Sequence, residues 1–217
     1  MINRRRIWVP GLICLLLPAV LASAQIKIES HPPAVKTRNF DPKAPPAEMP
    51  PLNPGEAAVC ESKFACGVQV EVEITQPADG GKPTAKVTAV TADLRLTVVI
   101  WLPEKAAKKI RDHEEGHRRI SEIFYDRGEQ TAQALAQKYI GKALDIAGVE
   151  QHQTRPAIEK LASEFCQEYL GAIEAPSQKA QEEYDRLTDH GRNGLSEKKA
   201  IEEATKKAET ERDKVKT

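Results

Sequence analysis

An α+β fold, a small antiparallel sheet packed on a helical bundle, is predicted by three features of the sequence. Residues 67–102 alternate apolar and polar side chains, residues from 104 to about 191 repeat apolar side chains at helical steps, and proline or glycine punctuates the boundaries. The predicted organisation is a leader over 1–24, a proline-rich linker or pro-segment over 25–58, a domain over 59–195 and a charged tail over 196–217.

The leader has the three parts of a secretory signal. Arg4, Arg5 and Arg6 form its positive end, "VPGLICLLLPAVLA" its apolar middle, and Ala22-Ser23-Ala24 a small-residue cleavage site. The apolar run is short for a membrane span and holds Pro10 and Pro18, so no stable span is expected after cleavage. The expected destination is the periplasm or the exterior. Removing the three arginines from a chain with 32 basic and 32 acidic residues leaves a charge of −3, which gives no electrostatic basis for a nucleic-acid partner.

Residues 25–58 contain "HPPAVKTRNFDPKAPPAEMPPLNPG", where proline blocks helices and central strands and the apolar residues are isolated. The strands come next. "VQVEVEIT" alternates with the period of a half-buried strand, "PADGGKP" is a turn cluster, and "AKVTAVTADLRLTVVIWL" is rich in β-branched residues. Two or three antiparallel strands are expected, the last ending near Trp101, with "RLTVVIW" free to offer an edge to an extended substrate.

Pro103 and Glu104 predict the start of the first helix. Its stripe is Ala106, Ile110, His113, His117, Ile120 and Phe124, so both histidines face inward with the apolar side chains. A second helix is predicted over roughly 129–147, closed by Gly148, and a third from Thr154 until Pro176 breaks it. A fourth runs from about Ser177 through Ala180, Tyr184 and Leu187 to Gly191. Beyond Ser196, mixed charge and few large apolar residues predict a solvated helix or frayed tail with no chemistry.

The chemistry centres on His113-Glu114-Glu115-Gly116-His117. Histidines four residues apart on a helix lie about one turn apart and can share one ion, expected to be zinc. Glu114, beside the first histidine, can approach a water on that ion without binding the ion itself, which suits a general base. Buried imidazoles without a polar partner are costly, and a metal relieves that cost. A catalytic zinc takes three protein ligands. Ile120 and Ile123 stand where a longer metzincin motif would place glycine and histidine, so the third ligand lies elsewhere. Glu129, Glu159, Glu164, Glu168 and His152 are available, and His190, beside Gly191, is the better candidate. Tyr184 could stabilise a substrate oxyanion. Competing readings are a solvent-facing His190 at a helix end and a Tyr184 that only packs the core.

The pair "LPEKAAKKIRDHEEGHRRI" and "YDRLTDHG" resembles a bacterial family of predicted secreted zinc-dependent proteases known as domain of unknown function 922. The resemblance covers roughly 60–195. It implies a strand ending in Leu102-Pro103, a helix with His113, Glu114, Gly116 and His117, and a later segment with Tyr184, Asp185, Thr188, His190 and Gly191. The implied activity is zinc-dependent hydrolysis of a peptide or protein substrate. The rival expectations are a non-catalytic envelope module with a structural or vestigial metal, and a metal-free helical protein that binds partners through its tail. Three cysteines follow the leader; Cys60 could pair with Cys66, or Cys166 with either.

Overall fold

A computed structural model describes residues 25–53 and 55–215, with side chains described as far as residue 211. The predicted leader lies outside the described residues. The elements are β1 (Gln25–Ser30), β2 (Ala34–Phe40), β3 (Val59–Thr75), β4 (Thr84–Pro103), α1 (Lys108–Tyr125), α2 (Gly128–Tyr139), β5 (Ala143–Asp145), α3 (Gln151–Thr188) and α4 (Glu197–Val215). The α+β class therefore holds. A purely antiparallel sheet does not. β2 runs parallel to the end of β4, from Ala34 opposite Thr97 to Phe40 opposite Pro103, while β5 is registered antiparallel, Thr84 to Lys86 against Asp145 to Ala143. The sheet is mixed. The chain that leaves β2 passes through the whole of β3 before β4 begins, a connection long enough to bring it back in the same direction.

Every other strand pairs with β4. The reason lies in its sequence: Ala92, Leu94, Leu96, Val98 and Ile100 are all buried, the strict alternation of a strand with one face in the core. Upstream, Ala85 and Val87 are buried on the opposite parity, so the strand changes face between Val87 and Val90. Because β2 occupies the Thr97–Pro103 stretch, "RLTVVIW" is not an open edge.

The chain divides into two compact units. The first holds the described residues through Glu29, Cys66–Asp93 and Gln130–Tyr169. Its core gathers Val87, Leu135, Tyr139, Leu144, Ile146, Phe165 and Tyr169. The Tyr139 and Phe165 rings meet edge to face at 5.4 Å, and Tyr139 Oη donates to Glu168 at 2.7 Å. The predicted helix over 129–147 is cut short here. Gly141 adopts a left-handed φ of 81°, and the chain beyond it becomes β5.

The second unit holds Ser30–Ala65, Leu94–Glu129 and Leu170 onward. Leu94, Leu96, Val98 and Ile100 from β4, Ile120 and Phe124 from α1, and Ile173, Ala180 and Tyr184 from α3 are buried within it. Tyr125 Oη lies 2.8 Å from the His31 carbonyl oxygen and 2.7 Å from that of Leu94. α1 starts at Lys108, five residues later than predicted. Pro103 is still in β4, paired with Phe40, and a turn closed by Ala106 N–H on the Pro103 carbonyl comes between.

Two further expectations fail here. Pro176 does not break α3, which continues through it. A proline inside a helix costs about 3 kcal/mol. Ile173, Ser177, Ala180 and Tyr184 are all buried around it and offset that cost at about 1.5–3 kcal/mol for each large apolar side chain. Beyond Ser196 the expected helix forms, but it is not solvated all round. α4 packs on α1 and buries Ala200, Ile201, Ala204 and Ala208 along one stripe. Burial by alanine gives little hydropathy signal, yet it lets two helix backbones approach closely. Ala204→Glu is accordingly expected to cost about 3 kcal/mol, since Ala204 is fully buried and the new carboxylate has no space and no partner. Thermal unfolding should fall by about 10 °C. An unchanged midpoint would return α4 to the status of a tail.

Candidate metal centre

The candidate site lies wholly within the second unit. α1 contributes His113, Glu114 and His117; the end of α3 contributes Gln181, Tyr184, Asp185 and Thr188. His113 Nε2 and His117 Nε2 are 3.2 Å apart, and Asp185 Oδ1 lies 3.2 Å from the first and 3.0 Å from the second. The two predicted histidines do converge, as their shared helix face requires. The third member of the cluster is Asp185, not His190.

The outer nitrogens define the tautomers. His117 Nδ1 is 2.5 Å from Gln181 Oε1. The Gln181 amide is oriented by its nitrogen, which donates to the His117 carbonyl at 3.0 Å and to Ser121 Oγ at 2.9 Å. His117 therefore carries its proton on Nδ1. His113 Nδ1 is 3.5 Å from Thr188 Oγ1, whose own hydroxyl proton goes to the Tyr184 carbonyl at 2.7 Å. Both rings then aim Nε2 lone pairs at a carboxylate oxygen. Three electron-rich atoms converging in this way need a cation among them, a proton or a metal, and two imidazoles with one carboxylate is a donor set suited to zinc.

Burial and charge act on the same groups. Burial pushes Glu114 up to about 7, with Asp185 and Glu56 adding to the rise and His117 opposing it. Burial also pushes Asp185 up, but the two imidazoles, which donate to it when protonated, outweigh burial and hold the carboxyl well below its ordinary value. His117 is raised despite its burial, chiefly by the Asp185 hydrogen bond.

Tyr184 is placed beneath the site rather than in it. Its ring stacks on His113 at 5.0 Å with an 11° tilt and meets His117 edge-on at 4.9 Å. Its side chain is fully buried, and its hydroxyl is engaged by the Glu197 carboxylate and, at 3.2 Å, by the His113 carbonyl. An oxyanion donor needs a free proton facing the substrate. Tyr184 has none to spare, so it positions His113 and takes no part in oxyanion binding.

His190 stands behind Asp185. Its Nδ1 is 3.6 Å from Asp185 Oδ1 and 3.6 Å from Glu56 Oε1, so Glu56, Asp185 and His190 form a second cluster that shares Asp185 with the first. It is aimed there by three successive left-handed residues after α3, Asp189, His190 and Gly191 at φ 49°, 51° and 74°. Gly191 is needed for space as well: a Cβ would lie 3.0 Å from His113 Cβ and Cγ. Neither cluster includes Glu129, Glu159, Glu164, Glu168 or His152.

A cavity of about 560 Å3 opens over these groups, with His113, Glu114, His117, Asp185 and His190 in its lining. Cys60 of β3 also lines it, and the Cys60 backbone N–H donates to the Glu114 carboxylate. Sequence reasoning placed Asp185 in the second motif without a ligand role and missed Glu56. Asp185 carried one signal, its place beside the buried stripe of Tyr184 and Thr188; Glu56, in a proline-rich stretch, carried none. No family model, curated protein or solved structure matches the chain.

Proposed function

We propose that the chain is an exported zinc-dependent peptidase in which His113, His117 and Asp185 hold the ion and Glu114 is the general base. The observation that carries this reading is the convergence of His113 Nε2, His117 Nε2 and Asp185 Oδ1 beside a buried Glu114 in one open cavity. When bound, zinc supplies a Lewis acid and makes adjacent water more acidic. Glu114 takes the proton from the attacking water and passes it to the leaving amine; its raised pKa suits exchange near neutral pH. Gln181 and Thr188 hold the two imidazoles in the required tautomer, and the Cys60 N–H orients the carboxylate. The resemblance to secreted zinc-dependent proteases and the signal-like leader support an exported enzyme acting on peptides or proteins. No helix among the described residues is long and apolar enough to cross a membrane.

A second reading, a non-catalytic envelope module with a structural metal, is favoured by Glu56. Its carboxylate reaches the cluster from the strap before β3 and could fill the position that a hydrolase leaves open. Glu114→Gln separates the two. Under the peptidase reading, elemental analysis of protein purified without added metal gives about one zinc per chain in both forms, and hydrolysis of a mixed peptide library falls by about 100- to 10,000-fold in the variant. Zinc-loaded wild-type protein without hydrolysis would leave the structural reading, and the absence of zinc would remove both.

A further inference from the structure

Cys66 of β3 and Cys166 of α3 both belong to the first unit, and nothing proposed above uses them. Their Sγ atoms are 3.0 Å apart, and Cys166 Sγ is 3.1 Å from the Cys66 carbonyl oxygen. A sulfur–sulfur bond is about 2.05 Å long, so roughly 1 Å of approach separates the thiols from a bond. Both side chains are half-buried, within reach of a small reagent.

We propose that Cys66 and Cys166 close a disulfide by exchange with a small-molecule disulfide such as oxidised glutathione, leaving Cys60 as the thiol among the three cysteines that follow the leader. The Cys166 thiolate attacks one glutathione sulfur, and the first glutathione leaves as thiolate and takes up a proton. Cys66, giving up its proton, then attacks the Cys166 sulfur of the mixed disulfide and expels the second glutathione. The two protein thiols lose two electrons and two protons; the small disulfide gains them and becomes two thiols.

The shared sulfur–sulfur hydrogen bond, burial and Asp93 push the Cys66 thiol up, and the same hydrogen bond pulls Cys166 down; attack in either order ends in the same bridge. Cys60 has no such partner. It lies in the second unit, where burial and the Glu114 charge push its thiol up. The bridge would join positions 100 residues apart and thereby restrict the unfolded chain.

The test uses the full chain, incubated with oxidised glutathione, capped with N-ethylmaleimide, denatured and digested with trypsin without reductant. Lys63 lies between Cys60 and Cys66, so the two are read on separate peptides. The expected product is the Cys66 peptide joined to the Cys166 peptide, lighter by two hydrogens than the pair, with the maleimide on Cys60. Dithiothreitol should lower the thermal midpoint of the oxidised wild type by about 10 °C and leave Cys166→Ser unmoved. Maleimide on both Cys66 and Cys166, or a linkage that includes Cys60, would overturn the proposal without touching the zinc reading.

Discussion

Asp185→Asn is expected to weaken zinc binding by more than about 100-fold, while His190→Ala costs about 10- to 100-fold. The contrast follows from geometry. Asp185 Oδ1 lies 3.2 and 3.0 Å from the two inward nitrogens, whereas His190 touches the cluster only through Asp185, at 3.6 Å. Asparagine keeps the shape of the side chain but removes the negative charge that offsets the ion's own. Losing a residue that merely supports a ligand costs about 10- to 100-fold in affinity, and losing a ligand itself exceeds that. Competition with a chromophoric zinc chelator measures both variants, and circular dichroism in the presence of a chelator checks that each is folded. The reverse ranking, with His190→Ala severe and Asp185→Asn mild, would reinstate His190 as the third ligand and discard the cluster described here.

That ranking also marks where the sequence was readable. His113 and His117 could be placed because an i, i+4 pair on an apolar stripe has one orientation, and the stripe through Ile120 and Phe124 is buried as its period requires. β4 was readable for the same reason at period two. β2 was not, because six of its seven residues are exposed and only Phe40 is buried; its strand character comes from backbone pairing to Thr97–Pro103, which hydropathy does not register. α3 was read as two helices because Pro176 has a strong local effect, which the burial on both sides of it overrides. α4 was read as a solvated helix or tail because a stripe of alanines resembles solvent-facing composition. Asp185 was given no ligand role because His190, at a helix end beside Gly191, was the better candidate by position. The turn that carries His190 uses left-handed residues whose direction no residue pattern specifies.

Gly116→Ala is expected to lower stability by about 2 kcal/mol net, although the substitution would normally raise it. In a helix interior, alanine is favoured over glycine by about 1 kcal/mol. Gly116 is buried in α1, and a Cβ there would lie 2.1 Å from Tyr184 Oη and 2.5 Å from Cζ. Tyr184 cannot yield cheaply, since it is fully buried, stacked on His113 and tied by its hydroxyl to Glu197. Overpacking of this kind costs about 3 kcal/mol, which outweighs the gain in propensity. The thermal midpoint should fall by about 4–8 °C. Zinc affinity should fall as well, because the ring that must move is the platform under His113. A double-mutant cycle isolates the cause. Tyr184→Leu removes the atoms nearest the new methyl, so in that background Gly116→Ala should be neutral or stabilising. Equal costs with tyrosine and leucine at 184 would mean that the glycine answers to something other than the tyrosine, and the link between the H-E-x-G-H helix and the end of α3 would lose its packing explanation.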